Sequence, residues 1–537
     1  MIKPSDFEKI VDSKFWKHLT AASTYIDVVN WADVNKEYFL KELANALNDF
    51  HHNFELPEYI FFSKDLGILR RVKAYNLADT CVYYYCLKSL QSDLVPIIKS
   101  VPHIFGGFRL SPDLTMQKED LEKLAFDPLY EKFAKFNYRR EWSGYQNMAK
   151  LLSERNFDYY IHIDIAHFYD DVNLDILERE LRNVSSKGET IDLLFYFLKN
   201  SDKRDLGYIS SNVGIPQEEI GEMSRLLANF YLHQFDKRIN QQIAKVLEEK
   251  EFVFTRFADD MWIAFRGEKI EAQRITQTVS AELLKLKLHI SEKKLCFYSK
   301  GEFNDHWHFQ VWEELQVIKE DPKKVYSLMQ RLLQNRKGRW FSPFFYLLKV
   351  FVSDPNNVIH IPFEESGQFL NIFLDIPQLA YKTKDIPVNF FSSFFNAYPH
   401  NAATIAFLLK ENKFIHPYVE FLCLTVYQSC ENSQQEKFEL LFEFYFKAIK
   451  KQYQWYSRVL CILFFIGNIQ FLEKDKLRRE KLLKHFRGAD KFHNELERRY
   501  NISLANKLRQ FKEADNLLSQ TYAEPKDLKF LDYISTL

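Results

Sequence analysis

The 537-residue sequence is poor in glycine and cysteine and rich in aromatic residues. Its 14 glycines stand against 50 phenylalanines and 29 tyrosines, a balance that favours helix packing over turn-rich β architecture. The six cysteines form no metal-type CxxC pair, and we expect reduced thiols in the core of a cytoplasmic protein. They are Cys81, Cys86, Cys296, Cys423, Cys430 and Cys461.

Net charge and long hydrophobic runs are also lacking. The 73 basic residues balance the 73 acidic ones, which argues against a long exposed duplex-binding surface but leaves room for a local basic channel. The longest apolar run, VLCILFFIG from Val459, is far shorter than a membrane-spanning helix. The first residues, MIKPSDFEKIVDSKFW, lack the apolar segment of a signal peptide. We therefore expect a soluble protein with no membrane partner.

The predicted secondary structure changes along the chain. Residues 1 to about 55 predict amphipathic helices, and residues 56–310 alternate helical stretches with strand-like runs such as YYIHIDIAHFY, FVFTRFADDMWIAF and HWHFQVW. Beyond about residue 320 apolar-faced helices follow one another with short polar joints. The predicted fold class is α+β over residues 1–320, followed by an all-α bundle or irregular solenoid over residues 321–537.

Three aspartates interrupt apolar runs. Asp259 and Asp260 lie in the middle of FTRFADDMWIAF, and Asp164 ends the predicted strand YIHID. An ionised carboxylate in an apolar setting is costly unless a cation, a proton or solvent neutralises it. Taken alone, the adjacent pair is also compatible with a solvated hairpin turn. Three carboxylates on two neighbouring strands, however, could hold two divalent cations about 3.5–4 Å apart for phosphoryl displacement.

Four ordered motifs around these acids resemble those of reverse transcriptases. They are DIAHFYDDV (164–172), GIPQEEIGEMSRLLANFYLHQFD (214–236), FTRFADDMWIAF (254–265) and LHISEKKL (288–295). The resemblance implies a right-hand polymerase core of fingers and palm. It also implies that Asp164 and Asp259 ligate both metal ions, that the carbonyl of Ile165 adds a ligand, and that Asp260 completes the site. The expected ion is Mg²⁺, with Mn²⁺ as the alternative.

The same resemblance assigns nucleotide-binding roles. Arg70 and Arg71 would clamp the triphosphate, Tyr169 would exclude the 2′-hydroxyl, and Gln217 would approach the nucleotide or template base. Lys294 would protonate or screen the pyrophosphate. The structural alternatives are a core aromatic for Tyr169, a surface pair for the arginines and a solvated side chain for the lysine.

A segment near the N-terminus narrows the resemblance. LRRVKAYNLADTCVYYY (69–85) is similar to the finger segment of abortive-infection (Abi, AbiK-like) and related phage-defence reverse transcriptases, in which a helical domain replaces the thumb. The similarity implies untemplated, protein-primed synthesis from dNTPs by a homo-oligomer, with DNA attached to the protein. Tyr25 and Tyr38 are candidate priming residues.

The second motif departs from the family pattern. Glu218 replaces a usual glycine, Ser224 lies two residues late, and in the third motif Phe257 replaces a usual tyrosine. These changes affect the part of the site that handles the template.

Two alternatives remain open at this stage. One is a templated reverse transcriptase of retron or group II intron type, which would bind and copy a dedicated RNA. The other is a toxin acting through its C-terminal helices, since Arg479 and His485 have the spacing seen in HEPN-type ribonucleases. A basic helix face explains that spacing equally well.

Overall fold

The computed structural model describes about two thirds of the chain. The described residues are 3–13, 15–16, 35–49, 51–52, 54, 57–63, 69–106, 110, 137–200, 212–217, 223–248, 250–376, 379, 388–411, 438–439, 442–443, 445–446, 462, 465, 468–486 and 504.

In the described part of the chain, strands lie only before residue 300. The strands are β1 (Glu58–Ser63), β2 (Leu69–Ala74), β3 (Ile104–Phe105), β4 (Tyr159–Asp164), β5 (Phe252–Phe257), β6 (Asp260–Phe265) and β7 (Cys296–Tyr298).

Helices make up most of the remaining regular structure. They are α1 (Pro4–Ile10), α2 (Lys36–Asn48), α3 (Leu77–Ile98), α4 (Asn137–Glu154), α5 (Phe168–Asp171), α6 (Leu174–Val184), α7 (Gly188–Asn200), α8 (Arg225–Tyr231), α9 (His233–Leu247), α10 (Lys269–Leu284), α11 (Lys300–Trp307), α12 (Phe309–Ile318), α13 (Pro322–Gln334), α14 (Phe341–Val352), α15 (Ser366–Asp375), α16 (Val388–Ala397), α17 (Pro399–Glu411), α18 (Ile469–Lys474) and α19 (Lys476–Phe486). Short 3₁₀ helices span Glu292–Lys294, Pro355–His360 and Phe363–Glu365.

A five-stranded sheet of order β3-β5-β6-β4-β7 forms the centre of the molecule. The β3–β5 pair is parallel and the other three pairs are antiparallel. In the β4–β6 register Asp164 lies opposite Asp260, and in the β5–β6 register Arg256 lies opposite Met261. Cross-strand partners share a face of the sheet and successive residues alternate between faces. Asp260 and Arg256 therefore lie on opposite faces.

We call these two surfaces the acidic face and the inner face. The acidic face carries Phe257, Asp260, Trp262, His162 and Asp164, and α4 and α11 pack on this part of the sheet. The inner face carries Arg256, Met261, Ile161, Ile163 and Ile263, all with no exposed surface. Burial of each such aliphatic side chain stabilises the fold by about 1.5–3 kcal/mol.

A second, two-stranded sheet consists of β1 and β2 and adjoins the long helix α3. The side chain of Asn76 accepts a 2.7 Å hydrogen bond from the Asp79 N–H, which starts α3 directly after β2. The backbone N–H of Lys73 in β2 donates to the Gln217 carbonyl at 2.7 Å. The two-stranded sheet is thus tied to the segment that bears the second sequence motif.

The predicted strands around Asp164 and Asp259 are confirmed, but the predicted strand in HWHFQVW is wrong. That stretch contains the end of α11 and the start of α12, with His308 between them at a left-handed φ of 56°. The alternation of polar and apolar residues there arises from two helices meeting at His308, with Trp307 and Phe309 both buried. A period of two over seven residues does not distinguish this joint from a strand.

The regular elements in the described residues after Tyr298 are all helical. The segments KKVYSLMQRLLQ, SPFFYLLKVFV and NAATIAFLLKEN lie in α13, α14 and α17. Helix α13 starts at Pro322 with Asp321 as its N-cap, next to the predicted boundary at residue 320. No helix in the described part of the chain has the length and apolar character required to cross a membrane.

Candidate active site

The catalytic hairpin, which we define as β5, β6 and their two-residue turn, presents the adjacent acids at the sheet edge. Ala258 and Asp259 form the turn, and Ala258 has a φ of 52°. An alanine rarely adopts a positive φ, so the surrounding contacts must hold it there. The Ala258 N–H donates to the Phe105 carbonyl at 3.2 Å, and its carbonyl accepts from Arg256 Nη1 at 2.7 Å.

Arg256 is the centre of a buried network on the inner face. Its Nε and Nη2 atoms donate to the two carboxylate oxygens of Asp236 at 2.9 and 2.5 Å, and Nη1 also donates to Asn229 Oδ1 at 2.9 Å. Burial raises the pKa of Asp236, while the charge and hydrogen bonds of Arg256 oppose that rise. Because Asn229 and Asp236 lie on α8 and α9, these helices are tied to the strained turn.

Asp164 lies at the end of β4, where three contacts fix it. Its backbone carbonyl accepts from the Ser291 N–H at 2.8 Å, and its Oδ2 accepts from Lys294 Nζ at 2.7 Å. The next residue, Ile165, donates its N–H to the Asp259 carbonyl at 3.3 Å. The hydrogen bond from Ile165 therefore joins the backbone beside Asp164 to that of Asp259.

Asp259 differs from Asp164 and Asp260 because few neighbouring groups stabilise its negative charge. Burial, followed by the negative charges of Asp164 and Asp260, raises the pKa of Asp259 to about 6. Mutual repulsion of this kind is relieved when a cation binds between the carboxylates. Asp164 and Asp259 therefore have the oxygen donors and the charge that suit a hard divalent ion such as Mg²⁺.

Asp260 has a different environment although it is the next residue. Its Oδ1 accepts from His162 Nε2 at 2.5 Å, and its Oδ2 accepts from Tyr145 Oη at 2.8 Å and from Arg339 Nη2. Burial alone would raise the pKa of Asp260, but Arg339, His162 and Tyr145 together hold it well below its usual range. Both carboxylate oxygens are thus occupied by protein donors.

The three predicted aspartates lie together at one end of the sheet. Asp164 and Asp260 are opposite each other in the register, and Asp259 precedes Asp260 in the turn, but their carboxylates face different partners. Within the described residues, no group of three or more His, Cys, Asp or Glu side chains is arranged to hold a metal ion. Asp164 and Asp259 have the oxygen donors that suit the expected metal, and the role of Asp260 as a further ligand stays a prediction.

The two arginines predicted to clamp the triphosphate lie on the two-stranded sheet. Arg70 and Arg71 are successive residues of β2, opposite Phe62 and Phe61 of β1. The clamp of the triphosphate by both arginines stays a prediction.

A backbone hydrogen bond joins Tyr169 to the segment that contains Gln217. The Tyr169 carbonyl in α5 accepts from the Ile215 N–H at 2.8 Å, and Gly214 beside it has a φ of 96°. A Cβ on Gly214 would lie 3.3 Å from the Asp170 carbonyl oxygen. The glycine of the GIPQ segment thus allows a close approach between the first and second motifs.

The two departures in the described part of the motifs have structural partners. Phe257 is buried, with its ring centroid 5.0 Å from that of Trp142 in an edge-to-face contact, a setting that suits a ring without a hydroxyl. Ser224 shares a 2.6 Å hydrogen bond with Tyr83 of α3. Glu218 lies outside the described residues.

Three of the four candidate priming and ribonuclease residues lie in the described part of the chain. Tyr38 is on α2 and is 67% exposed, whereas Tyr25 lies outside the described residues. Arg479 and His485 occupy one helix, α19, six residues apart. Six residues correspond to positions about 120° apart around a helix axis, so α19 by itself does not bring the two positions together.

The described cysteines agree with the expectation of free thiols. Cys81, Cys86 and Cys296 are free, and the first two are fully buried. Burial raises the pKa of Cys81 and of Cys86 far above the usual range, which makes both thiols poor nucleophiles.

Sequence reasoning missed five polar residues that shape the site. They are Tyr145, His162, Asp236, Arg256 and Arg339. Three had a signal, because Arg256 and Asp236 belong to quoted motifs and His162 lies two residues before Asp164 on the same strand face. Tyr145 and Arg339 had none, since neither lies in a motif.

Comparison with protein families identifies the segment that contains this site. Residues 106–337 match the family model described as reverse transcriptase (RNA-dependent DNA polymerase). The match covers the four motifs and ends two residues before Arg339. No curated protein matches the chain.

Proposed function

Because residues 106–337 are a reverse-transcriptase domain, the chain is a nucleotidyltransferase, and we propose that Asp164 and Asp259 are the metal-binding acids of its polymerase site. The observation that carries this assignment is the meeting of these two acids at the strained turn, where Asp259 has a pKa raised to about 6. A carboxylate kept under repulsion in a buried site is suited to bind a cation.

Each nearby residue has a role in the proposed reaction. Divalent metal ions, when bound, supply positive charge that lowers the pKa of an attacking hydroxyl and neutralises the leaving pyrophosphate. The Ile165 carbonyl adds an oxygen donor beside Asp164. Lys294, whose Nζ lies 2.7 Å from Asp164 Oδ2, would protonate or screen the leaving pyrophosphate.

Sugar and base selection belong to the segment between α5 and the GIPQ motif. Tyr169 is the proposed steric gate that excludes ribonucleotides, and Gln217 is the proposed contact to the incoming or template base. Arg70 and Arg71 of β2 clamp the triphosphate with bidentate hydrogen bonds. The Lys73–Gln217 backbone hydrogen bond supports this group as one binding surface.

The biological role belongs to the same proposal. The enzyme serves in phage defence as an abortive-infection polymerase, primes on one of its own tyrosines, uses no template and works as a homo-oligomer in the cytoplasm. Support comes from the net charge of zero, the finger-like segment 69–85, and Glu218 at a template-handling position. The helices of residues 321–537 take the place of a basic thumb.

A denaturing gel tests both the catalytic role of Asp259 and the proposed self-priming. Purified protein is incubated with labelled dNTPs and Mg²⁺, without added nucleic acid, beside an Asp259→Asn control. Label that stays with the protein after boiling in detergent, and is freed by protease, supports self-priming. Label that depends on Asp259 but runs as free DNA matching a copurified RNA favours the templated alternative, which the family description also allows. Incorporation by Asp259→Asn equal to wild type contradicts the catalytic assignment.

A further inference from the structure

Arg339 reaches the catalytic hairpin from outside the reverse-transcriptase match. It lies in the joint between α13 and α14, two residues beyond the end of the matched segment. Its backbone N–H donates to the His306 carbonyl at 2.8 Å. Gly338 has a φ of 55°, and a Cβ there would lie 2.5 Å from the same carbonyl oxygen. The joint is therefore pressed against the end of α11.

A second contact fixes the same joint. His308 Nε2 shares a 2.8 Å hydrogen bond with the Lys337 carbonyl. Both His306 and His308 lie at the α11–α12 junction, next to the buried Trp307. The backbone on either side of Gly338 is thus held by the junction that HWHFQVW forms.

The guanidinium of Arg339 enters a cage of aromatic rings. Its Cζ lies 4.3 Å from the Trp307 ring centroid, 5.0 Å from that of Trp142 and 6.0 Å from that of Tyr145. Cation–π contacts of this kind gain strength when water is excluded. The side chain is 23% exposed and that of Asp260 is 16% exposed, so the pair is largely shielded from solvent.

Three side chains form hydrogen bonds with the Asp260 carboxylate and fix its orientation. His162 binds one oxygen, and Tyr145 and Arg339 bind the other. His162 in turn stacks on Trp262, with ring centroids 4.5 Å apart. These three donors use three of the roughly four lone-pair sites of the carboxylate, so Asp260 has little capacity left for a metal. A permanent positive charge in contact with the carboxylate also repels a divalent cation.

We infer that Asp260 is the anchor by which Arg339 fastens the helices beyond the reverse-transcriptase domain to the catalytic hairpin, and not a ligand of the catalytic metal. Arg339 is then a positioning residue. It holds β6 at its first residue, next to the turn that presents Asp259. The active site thereby depends on the helical region through Arg339.

Thermal unfolding and Mn²⁺ binding of the full chain test this inference. The variants are Asp260→Asn, Arg339→Gln and their double, with Asp259→Asn for comparison. Arg336→Gln is the matched control, because the Arg336 guanidinium lies over the Trp340 ring near the same joint and its Nε donates to the Leu333 carbonyl rather than to Asp260. We expect each anchor variant to lower Tm by roughly 5–10 °C, and the double to lower it by much less than the sum.

Mn²⁺ affinity, followed by electron paramagnetic resonance, separates anchor from ligand. Asp260→Asn should keep the affinity within about threefold of wild type, whereas Asp259→Asn should weaken it by about tenfold or more. Weakening in Asp260→Asn equal to that in Asp259→Asn overturns the inference, and so do additive Tm shifts. If Asp260→Asn does not fold, Arg339→Lys replaces it, since lysine keeps the charge but loses the fork and the ring stacking. Arg339→Lys with an unchanged Tm then overturns the inference.

The metal readout rests on the proposed function, but the stability readout does not. Wild-type protein that binds no Mn²⁺ contradicts the proposed polymerase site and leaves the Tm comparison to decide the anchor.

Discussion

Each face of the five-stranded sheet carries an aspartate that is bound to an arginine or carries the arginine of such a pair. The two pairs differ in burial and in the parts of the chain that supply their residues. On the inner face, Arg256 and Asp236 have side chains that are 0% and 1% exposed. On the acidic face, the side chains of Arg339 and Asp260 are 23% and 16% exposed. The first pair lies wholly inside the reverse-transcriptase match, whereas the second joins that domain to the helices beyond it.

The two faces also differ in their balance of positive and negative charges. On the inner face one arginine meets one aspartate, and the remaining guanidinium hydrogen bonds go to Asn229 and to the Ala258 carbonyl. On the acidic face three aspartates meet two permanent cations, Lys294 and Arg339. The balanced face supports the turn, and the unbalanced face keeps negative charge available for a metal.

The largest effect should come from removing the uncompensated charge. Asp259→Asn should reduce nucleotide incorporation by roughly a thousandfold, equivalent to about 4 kcal/mol of transition-state stabilisation. Its folding stability should rise at pH 7, because the raised pKa means that the ionised form is held at a cost, on the order of 1–3 kcal/mol. That cost is absent below the unfolded-state pKa of about 4 and complete above pH 6.

Incorporation rates and urea unfolding of the same preparation measure both signs. If Asp259→Asn loses stability as well as activity, the Asp259 charge is compensated in the fold and is not held at a cost.

The inner pair should show the reverse pattern. Arg256→Met leaves Asp236 buried without its partner and should destabilise the fold by about 3–5 kcal/mol. The double variant Arg256→Met/Asp236→Leu should recover most of that stability, since a buried ion pair can be replaced by apolar side chains at little cost. Activity should stay low in the double variant because the Ala258 carbonyl still lacks its donor.

Urea unfolding and incorporation assays decide this case. Recovery of both stability and activity in the double variant would show that Arg256 only fills the core and does not position the turn.

A smaller effect should follow from crowding the inner network without removing a charge. Gly106 has a φ of 149°, and a Cβ there would lie 2.6 Å from Asn229 Nδ2. Gly106→Ala should therefore cost about 1–3 kcal/mol and lower activity by displacing Asn229 from Arg256. Gly301→Ala, whose Cβ would meet nothing within 4 Å, is the control and should be neutral or stabilising. Equal Tm values for the two variants would remove Gly106 from the network.

The smallest effect concerns pH on the acidic face. Since burial and two acidic neighbours raise the pKa of Asp259 to about 6, protons compete with the metal below that pH. Mn²⁺ affinity should fall by up to about tenfold per pH unit below pH 6 and level off above it. Titrations at pH 5, 6 and 7 measure the slope, and Asp259→Asn should flatten it. A slope that persists in Asp259→Asn would assign the proton to another group.

Much of the polymerase core could be predicted from local patterns. Strands β4, β5 and β6 follow from short apolar runs, and the three aspartates were recognised because acids rarely interrupt such runs. The errors arose where a short pattern has two structural solutions. HWHFQVW alternates like a strand, yet His308 adopts a left-handed conformation and separates two helices.

The sequence by itself determined the motif order, the acids at the sheet edge and the hairpin that presents them, because these depend on residues close together in the chain. Only the tertiary structure decided that Asp259 and Asp260 differ. The two are chemically identical neighbours, but alternation along the chain turns Asp260 toward Tyr145, His162 and Arg339. Arg339 is 79 residues away in sequence. Its approach requires Gly338 to pass close to His306, and no local pattern encodes a contact between such distant segments.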